Sequence, residues 1–286
     1  MTPAGTIMKD RICLVTGGTS GVGRAVATGL AETGATVIIV SRNREKGLLA
    51  AEAVKEKTGH RLVFSRVLDI GNTDDVGDFA ARFQKEFQAL HVLSNNAAVL
   101  TTRRETNRRG IEMIFAVNYL GHFTLTCLLL DLLKSSAPAR VITVSGDPRH
   151  LKGARIDLDD LNLERHYHPV RAMVRAALAK VAFSCELAER LAHSGVTSNT
   201  FHPGLVRSNL TAGFPCWLRI PANLIQRFFS ERCDTGEYLA SSPDVEGVTG
   251  CFFKNKKAVA FNPEIPLHIW SPALWEKSLS LAGLSS

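Results

Sequence analysis

Short runs dense in β-branched and other apolar residues recur along the chain. Between them lie segments in which apolar residues return every three or four positions. "ICLVT", "TVIIV", "RLVFSRVLD", "HVLSNNAA", "ARVITVSG" and "GVTSNTFHPG" have the first pattern and predict strands. "GVGRAVATGLAETG", "REKGLLAAEAVKEKTG", "DDVGDFAARFQKEF", "FAVNYLGHFTLTCLLLDLLK" and residues 171–193 have the second and predict helices. The strands are apolar almost throughout rather than alternating, as strands buried on both faces are. The expected fold class is therefore α/β, a doubly wound parallel sheet with helices on both faces.

No linker, low-complexity tract or internal repeat interrupts residues 1–286, which predicts a single domain. The alternation breaks at residues 210–232, a stretch holding Pro215, Trp217, Pro221, Phe228 and Phe229. It is expected to form a small substrate-covering lobe at the carboxyl ends of the strands, where open α/β sheets bind ligands. A helix packed there for stability alone is the competing expectation.

Composition narrows the partners. With 45% hydrophobic and 21% charged residues the chain is of ordinary globular type, and its formal charge of +7 favours anionic small molecules. The basic residues form no stripe interleaved with aromatics, so nucleic acid is not an expected partner. The longest apolar run, residues 119–134, carries His122 and Asp131, falls short of a bilayer span and predicts a buried or interface helix. Residues 1–10 are too short and polar for a signal peptide, so a cytoplasmic protein without a stable membrane anchor is expected. The six cysteines lie far apart with no C-x-x-C pair, which predicts reduced thiols and no metal site.

The chemistry begins at "TGGTSGVG", residues 16–23, between the first predicted strand and helix. Glycines there permit a tight turn and close backbone approach, and the helix amino terminus then faces a pyrophosphate. Gly17, Thr19, Ser20, Gly21, Val22 and Gly23 are the candidate phosphate-binding residues. The second strand ends in "VSRN" rather than in an acid, so Arg42 is placed to pair with the 2′-phosphate of NADP.

With "NNAA" at 95–98, "VNYLGHF" at 117–123, "APARVITVS", "HPGLVRS" at 202–208 and "YLASSPDVEGVTG", the chain resembles the short-chain dehydrogenase/reductase family over nearly its whole length, most closely its retinol-dehydrogenase-like branch. The resemblance implies a Rossmann fold and an NADP(H) cofactor. It further implies that Asp69 contacts the adenine, that Asn95, Ala97 and Val117 line the ribose region, and that Val206 and Ser208 hold the nicotinamide amide and phosphates. Ala98 stands where the family usually has glycine. The run 115–134 resembles the helix that family members use in dimer interfaces, which implies a homo-oligomer (dimer or tetramer), or a hetero-oligomer with an active partner.

The same resemblance exposes what is missing. The family transfers a proton with a tyrosine, supports it with a lysine one helical turn on, polarises the substrate oxygen with a serine and maintains a water chain with an asparagine. In the ungapped register anchored by Leu178, Ala179, Phe183, Glu186 and Leu187, Met173 falls at the tyrosine and Ala177 at the lysine. Gly146 falls at the serine, and Asn118 alone keeps its identity. A rival register, pairing Ala176 with Lys180, keeps a lysine but still loses the tyrosine and breaks the downstream matches. Methionine, alanine and glycine have no side-chain proton to give, and losing a well-placed acid or base costs ~10²–10⁴ in rate. Asp147, His150, His166 and His168, in nearby loops, are the candidate substitutes, although a polar loop residue exposed to water is the expected state of each. Lys180, two turns from Met173, is another, although a lysine snorkelling to solvent is the expected state there.

Three functions fit such a chain. The preferred one keeps the cofactor working on a small, largely apolar molecule, by hydride transfer to a pre-activated acceptor such as an iminium, which needs no proton on oxygen. The alternatives are a non-redox cyclase, isomerase or pericyclase with NADP retained structurally, and a non-catalytic binding or hetero-oligomer partner.

Overall fold

The computed structural model describes residues 7–147, 155–207, 229–260 and 267–285. Among these, eight strands form one sheet in the order β3-β2-β1-β4-β5-β6-β7-β8. They are β1 (Ile12–Thr16), β2 (Thr36–Ser41), β3 (Val63–Val67), β4 (Val92–Asn95), β5 (Ala139–Val144), β6 (Val196–Phe201), β7 (Phe252–Lys254) and β8 (Lys257–Val259). Neighbours pair in parallel from β3 through β7. Only β8, returning beside β7, is antiparallel. The doubly wound, single-domain α/β architecture is the expected one. The three-residue strands β7 and β8 are additions to it.

Successive strand residues point to opposite faces, and both faces are covered. Leu14, Ile38 and Val40 enter one core with Phe79, Phe123 and Leu178. Cys13, Val15, Val37 and Ile39 enter the other with Val26, Leu30 and Leu239. The first core is closed by helices α3 (Thr73–Glu86), α4 (Met113–Phe115), α5 (Gly121–Leu128), α6 (Leu130–Ser135) and α7 (Pro169–Arg190), and the second by α1 (Gly21–Glu32), α2 (Arg44–Thr58) and α8 (Asp234–Ser241). This double burial is why the strands are apolar at consecutive positions.

The expected single helix over 115–134 instead runs through four elements. A π-helical stretch, Ala116–Leu120, joins α4 to α5, and the chain turns at Leu129 (φ −98°, ψ 7°) before α6. π-turns widen a helix locally and often occur at functional sites; this one carries Val117 and Asn118 to the cavity described below. Residues 114–126 are all buried within the chain, whereas Cys127, Leu128, residues 130–132 and Lys134 are half-buried or exposed. A carboxyl-terminal helix, α9 (Leu267–Ala282), covers the buried part: Trp275 meets Phe123 edge-on with centroids 5.0 Å apart, and Tyr119 Oη lies 2.7 Å from Ser278 Oγ.

The predicted lobe at 210–232 lies outside the described residues up to 228. The chain enters and leaves that segment side by side, since Val206 and Ser230 form a parallel bridge. Among the described residues no helix is long and apolar enough to cross a membrane.

Candidate active site

A cavity of about 710 Å³ opens at the carboxyl ends of β1, β2, β4, β5 and β6. It sits where the strand order reverses between β1 and β4, the position at which open α/β sheets bind ligands.

One half is built from the β1–α1 turn and the tip of β2. Gly17 takes the left-handed conformation (φ +65°), and a Cβ there would stand 2.7 Å from the Ala97 Cα. A Cβ on Gly23 would stand 2.5 Å from the Gly17 carbonyl oxygen. Both glycines are thus required for the turn to close on itself and on the loop after β4. Gly17, Thr19, Ser20, Gly21, Val22 and Gly23 all line the cavity, as do Arg42, Asp69, Ala97, Val117 and Val206. Arg42 is exposed at the rim with a second cation, Lys46, which sequence reasoning missed. The Asn43 side chain caps α2 by accepting from the Lys46 amide, and so fixes the turn that presents both. Asp69 accepts from the Gly71 amide and the Asn72 side chain, which orients its carboxylate at the cavity edge.

Thr16 organises this half from below. Its hydroxyl accepts from the Asn96 and Ala97 amides (2.9 and 3.2 Å) and contacts His122 Nε2 at 3.0 Å. His122 is fully enclosed, and its pKa is pushed down to about 3 by burial, with the Lys180 charge adding to the effect. It is therefore a neutral strut. Asn95 is corrected by the same geometry. It is the last residue of β4, fully buried, with its amide directed to Thr126 and Thr143. One pleat later Asn96 faces the cavity, and its Oδ1 has no partner among the described residues. Bare glycine backbone at a helix amino terminus, an unpaired carbonyl oxygen and two rim cations fit a phosphorylated dinucleotide.

The other half is the wall made by α7 and the end of β5. Met173, Val174, Ala176, Ala177 and Lys180 line the cavity from α7, and Ser145, Gly146 and Asp147 from β5 onward. Asn118 is pinned to the Val99 backbone in both directions (2.8 and 3.0 Å), and its amide reaches Met173 Sδ at 3.5 Å. A Cβ on Gly146 would lie 3.5 Å from the Ala177 Cβ. Gly146, Met173, Ala177 and Asn118 therefore share one wall. Ser145 is no substitute donor, since its hydroxyl is given to the Ala177 carbonyl at 2.9 Å. A buried ion pair holds α7 in place. Arg175 reaches Glu112 at 2.6 Å and lies over the Phe115 ring, while Glu112 also accepts from the Ile114 and Phe115 amides.

Several candidate substitutes are not at this wall. His166 and His168 are exposed in the loop before α7 and do not line the cavity. His150 and Ser208 lie outside the described residues. Asp147 is at the cavity, but its carboxylate accepts from Lys254 at 2.8 Å, with His202 Nε2 at 4.0 Å. Lys180 is the largest departure from expectation. In place of a solvated surface lysine, the side chain is 7% exposed and faces the cavity. Burial pushes its pKa down to about 8. His202, in the "HPG" turn, is a further cavity residue whose side chain the motif alone did not place.

The family profile described as short chain dehydrogenase matches residues 11–152. Retinol dehydrogenase 11 of Mus musculus is 37% identical over 283 residues, covering 97% of this chain and 88% of the relative. Retinol dehydrogenase 14 of Homo sapiens is 37% identical with the same coverage. Among solved structures, a protein of Mycobacterium paratuberculosis superposes with a TM-score of 0.77 at 30% identity, covering 97% of this chain and 95% of that one. Pseudomonas aeruginosa RhlG, in an active-site complex with NADP, superposes with a TM-score of 0.67 at 25% identity, covering 88% and 97%. The chain belongs to the short chain dehydrogenase family.

Proposed function

We propose that the protein is a nicotinamide-dependent oxidoreductase that uses NADP(H) and acts on a small, largely apolar molecule. In this reading hydride passes to an acceptor already activated, such as an iminium carbon, without a tyrosine–lysine–serine relay. One observation carries it: a complete nucleotide half faces a wall on which Gly146, Met173 and Ala177 stand together. The relatives named for retinol, a largely apolar alcohol, support an apolar substrate and redox chemistry. Bound nicotinamide supplies the hydride. The glycine turn would hold the pyrophosphate, Arg42 and Lys46 the 2′-phosphate, and Asn96 and Asn118 the groups near the centre of the cavity. Met173 and the alanines keep water from the acceptor.

The test is single-turnover mixing of protein and NADPH with a cyclic iminium. Loss of the reduced-nicotinamide absorbance is expected. No loss with any activated acceptor overturns the reading. A second reading, ordinary alcohol and carbonyl exchange, is favoured by one observation: the largely buried Lys180 side chain lines the same cavity.

A further inference from the structure

Lys180 is the feature of the cavity wall that the loss of the relay does not explain. It is more than nine-tenths buried, lines the cavity and makes no hydrogen bond or ion pair among the described residues. An ammonium left without partners in such a place is costly unless something else meets it. Position on the helix indicates where it reaches. Residue 180 is seven beyond Met173 and three beyond Ala177, so all three share one face. Helical side chains lean toward the amino terminus, over residues three and four positions back. For Lys180 those are Ala177 and Ala176, whose single methyl groups leave room for the stem to pass toward Met173.

We propose that Lys180 is a catalytic residue of this cavity, donating to the oxygen of an apolar aldehyde or ketone and delivering its proton there. The inference rests on the nicotinamide-dependent reading and extends it to neutral carbonyl compounds. Such a reduction needs a hydride on carbon, from the reduced nicotinamide, and a proton on oxygen. The Lys180 N–H bond breaks as the O–H bond forms. The neutral amine that remains is reprotonated from water. Facing Lys180 from the elements packed around it are His122 of α5, neutral because it is enclosed, and Asp147 and His202 across the cavity, with Asp147 held by Lys254. An amine with a pKa of about 8 is charged and able to give a proton at neutral pH.

The test has two parts. Reductive methylation with formaldehyde and borohydride, read by peptide mass spectrometry, is expected to modify Lys180 in the free protein and to be blocked by saturating NADP⁺. Unblocked modification overturns the proposal without reference to turnover. The second part compares an apolar aldehyde with a matched iminium as NADPH acceptors. Lys180→Met is expected to lower the aldehyde-to-iminium rate ratio by ~10²–10⁴. Lys180→Arg is expected to keep NADPH affinity near the wild-type value yet show the same fall in ratio, because guanidinium does not release its proton. The wild-type aldehyde rate is expected to drop as pH rises through about 8. An unchanged ratio in both variants overturns the role of Lys180 alone. No NADPH consumption by wild-type protein with either acceptor overturns the cofactor reading as well.

Discussion

The two halves of the cavity differ in how much their sequence is constrained by backbone. In the nucleotide half the essential features are places where a side chain is forbidden. Gly17 and Gly23 leave less than 3 Å for a Cβ against neighbouring backbone atoms. In the wall made by α7 and β5 the space is permissive. A Cβ on Gly146 would make only an ordinary contact with Ala177. Substitution in the first half destroys the turn itself, whereas at Gly146 in the second the backbone leaves room for a side chain. A chain can therefore lose a proton relay and keep its fold and nucleotide site, which is the combination proposed for this protein.

The contrast is sharpened most by Lys180, a charged group buried on the permissive wall with no ion-pair partner among the described residues. The unfolded chain holds the Lys180 proton up to the ordinary pKa of 10.5, while the folded protein releases it at about 8. Burial of this charge thus lowers stability fully below pH 8, and stability recovers as pH rises from 8 to 10.5. The deficit amounts to about 3 kcal/mol. Lys180→Met, which nearly preserves volume, is expected to be more stable than wild type by an amount of that order at pH 7. The difference should disappear by about pH 10.5 in urea titrations. A variant less stable than wild type at pH 7 would mean that the amine is paired in the resting protein.

A smaller effect probes the rim of the nucleotide half. Arg42→Glu replaces a cation facing the cavity edge with an anion, with Lys46 left in place. Loss of one charge-assisted contact is worth ~1.5–3 kcal/mol, so NADPH affinity should fall by roughly tenfold to a hundredfold while NADH affinity holds or rises. Fluorescence titration with both nucleotides reads this directly. Equal losses for the two would place the 2′-phosphate elsewhere.

Much of the nucleotide half was legible because its signals are local. "TGGTSGVG" between a strand and a helix fixes the turn, and the apolar runs of β1 and β2 declare a sheet covered on both faces. What escaped depended on tertiary context. Which asparagine of "NNAA" faces the ligand turns on where β4 ends, and a one-residue change there exchanges Asn95 for Asn96. Spacing places Lys180 on the Met173 face, but its burial is set by the elements packed around α7. The strands β7 and β8 are three residues each, too short for a periodicity to register. The break at Leu129 lies in a stretch apolar on every side, where no pattern distinguishes one helix from two. α9 has no contrast between faces for a similar reason: Trp275 and Leu279 enter the core amid other apolar residues.

We propose that the wall made by α7 and β5 lacks the family's tyrosine–lysine–serine relay. This claim is tested most directly by refilling that wall with Gly146→Ser, Met173→Tyr and Ala177→Lys together, and measuring NADP⁺-dependent oxidation of an apolar primary alcohol. The account predicts a gain of ~10²–10⁴ in kcat over the wild-type protein, with NADP⁺ affinity kept within a few-fold. A wild-type protein that already oxidises the alcohol as fast as the refilled variant would contradict it.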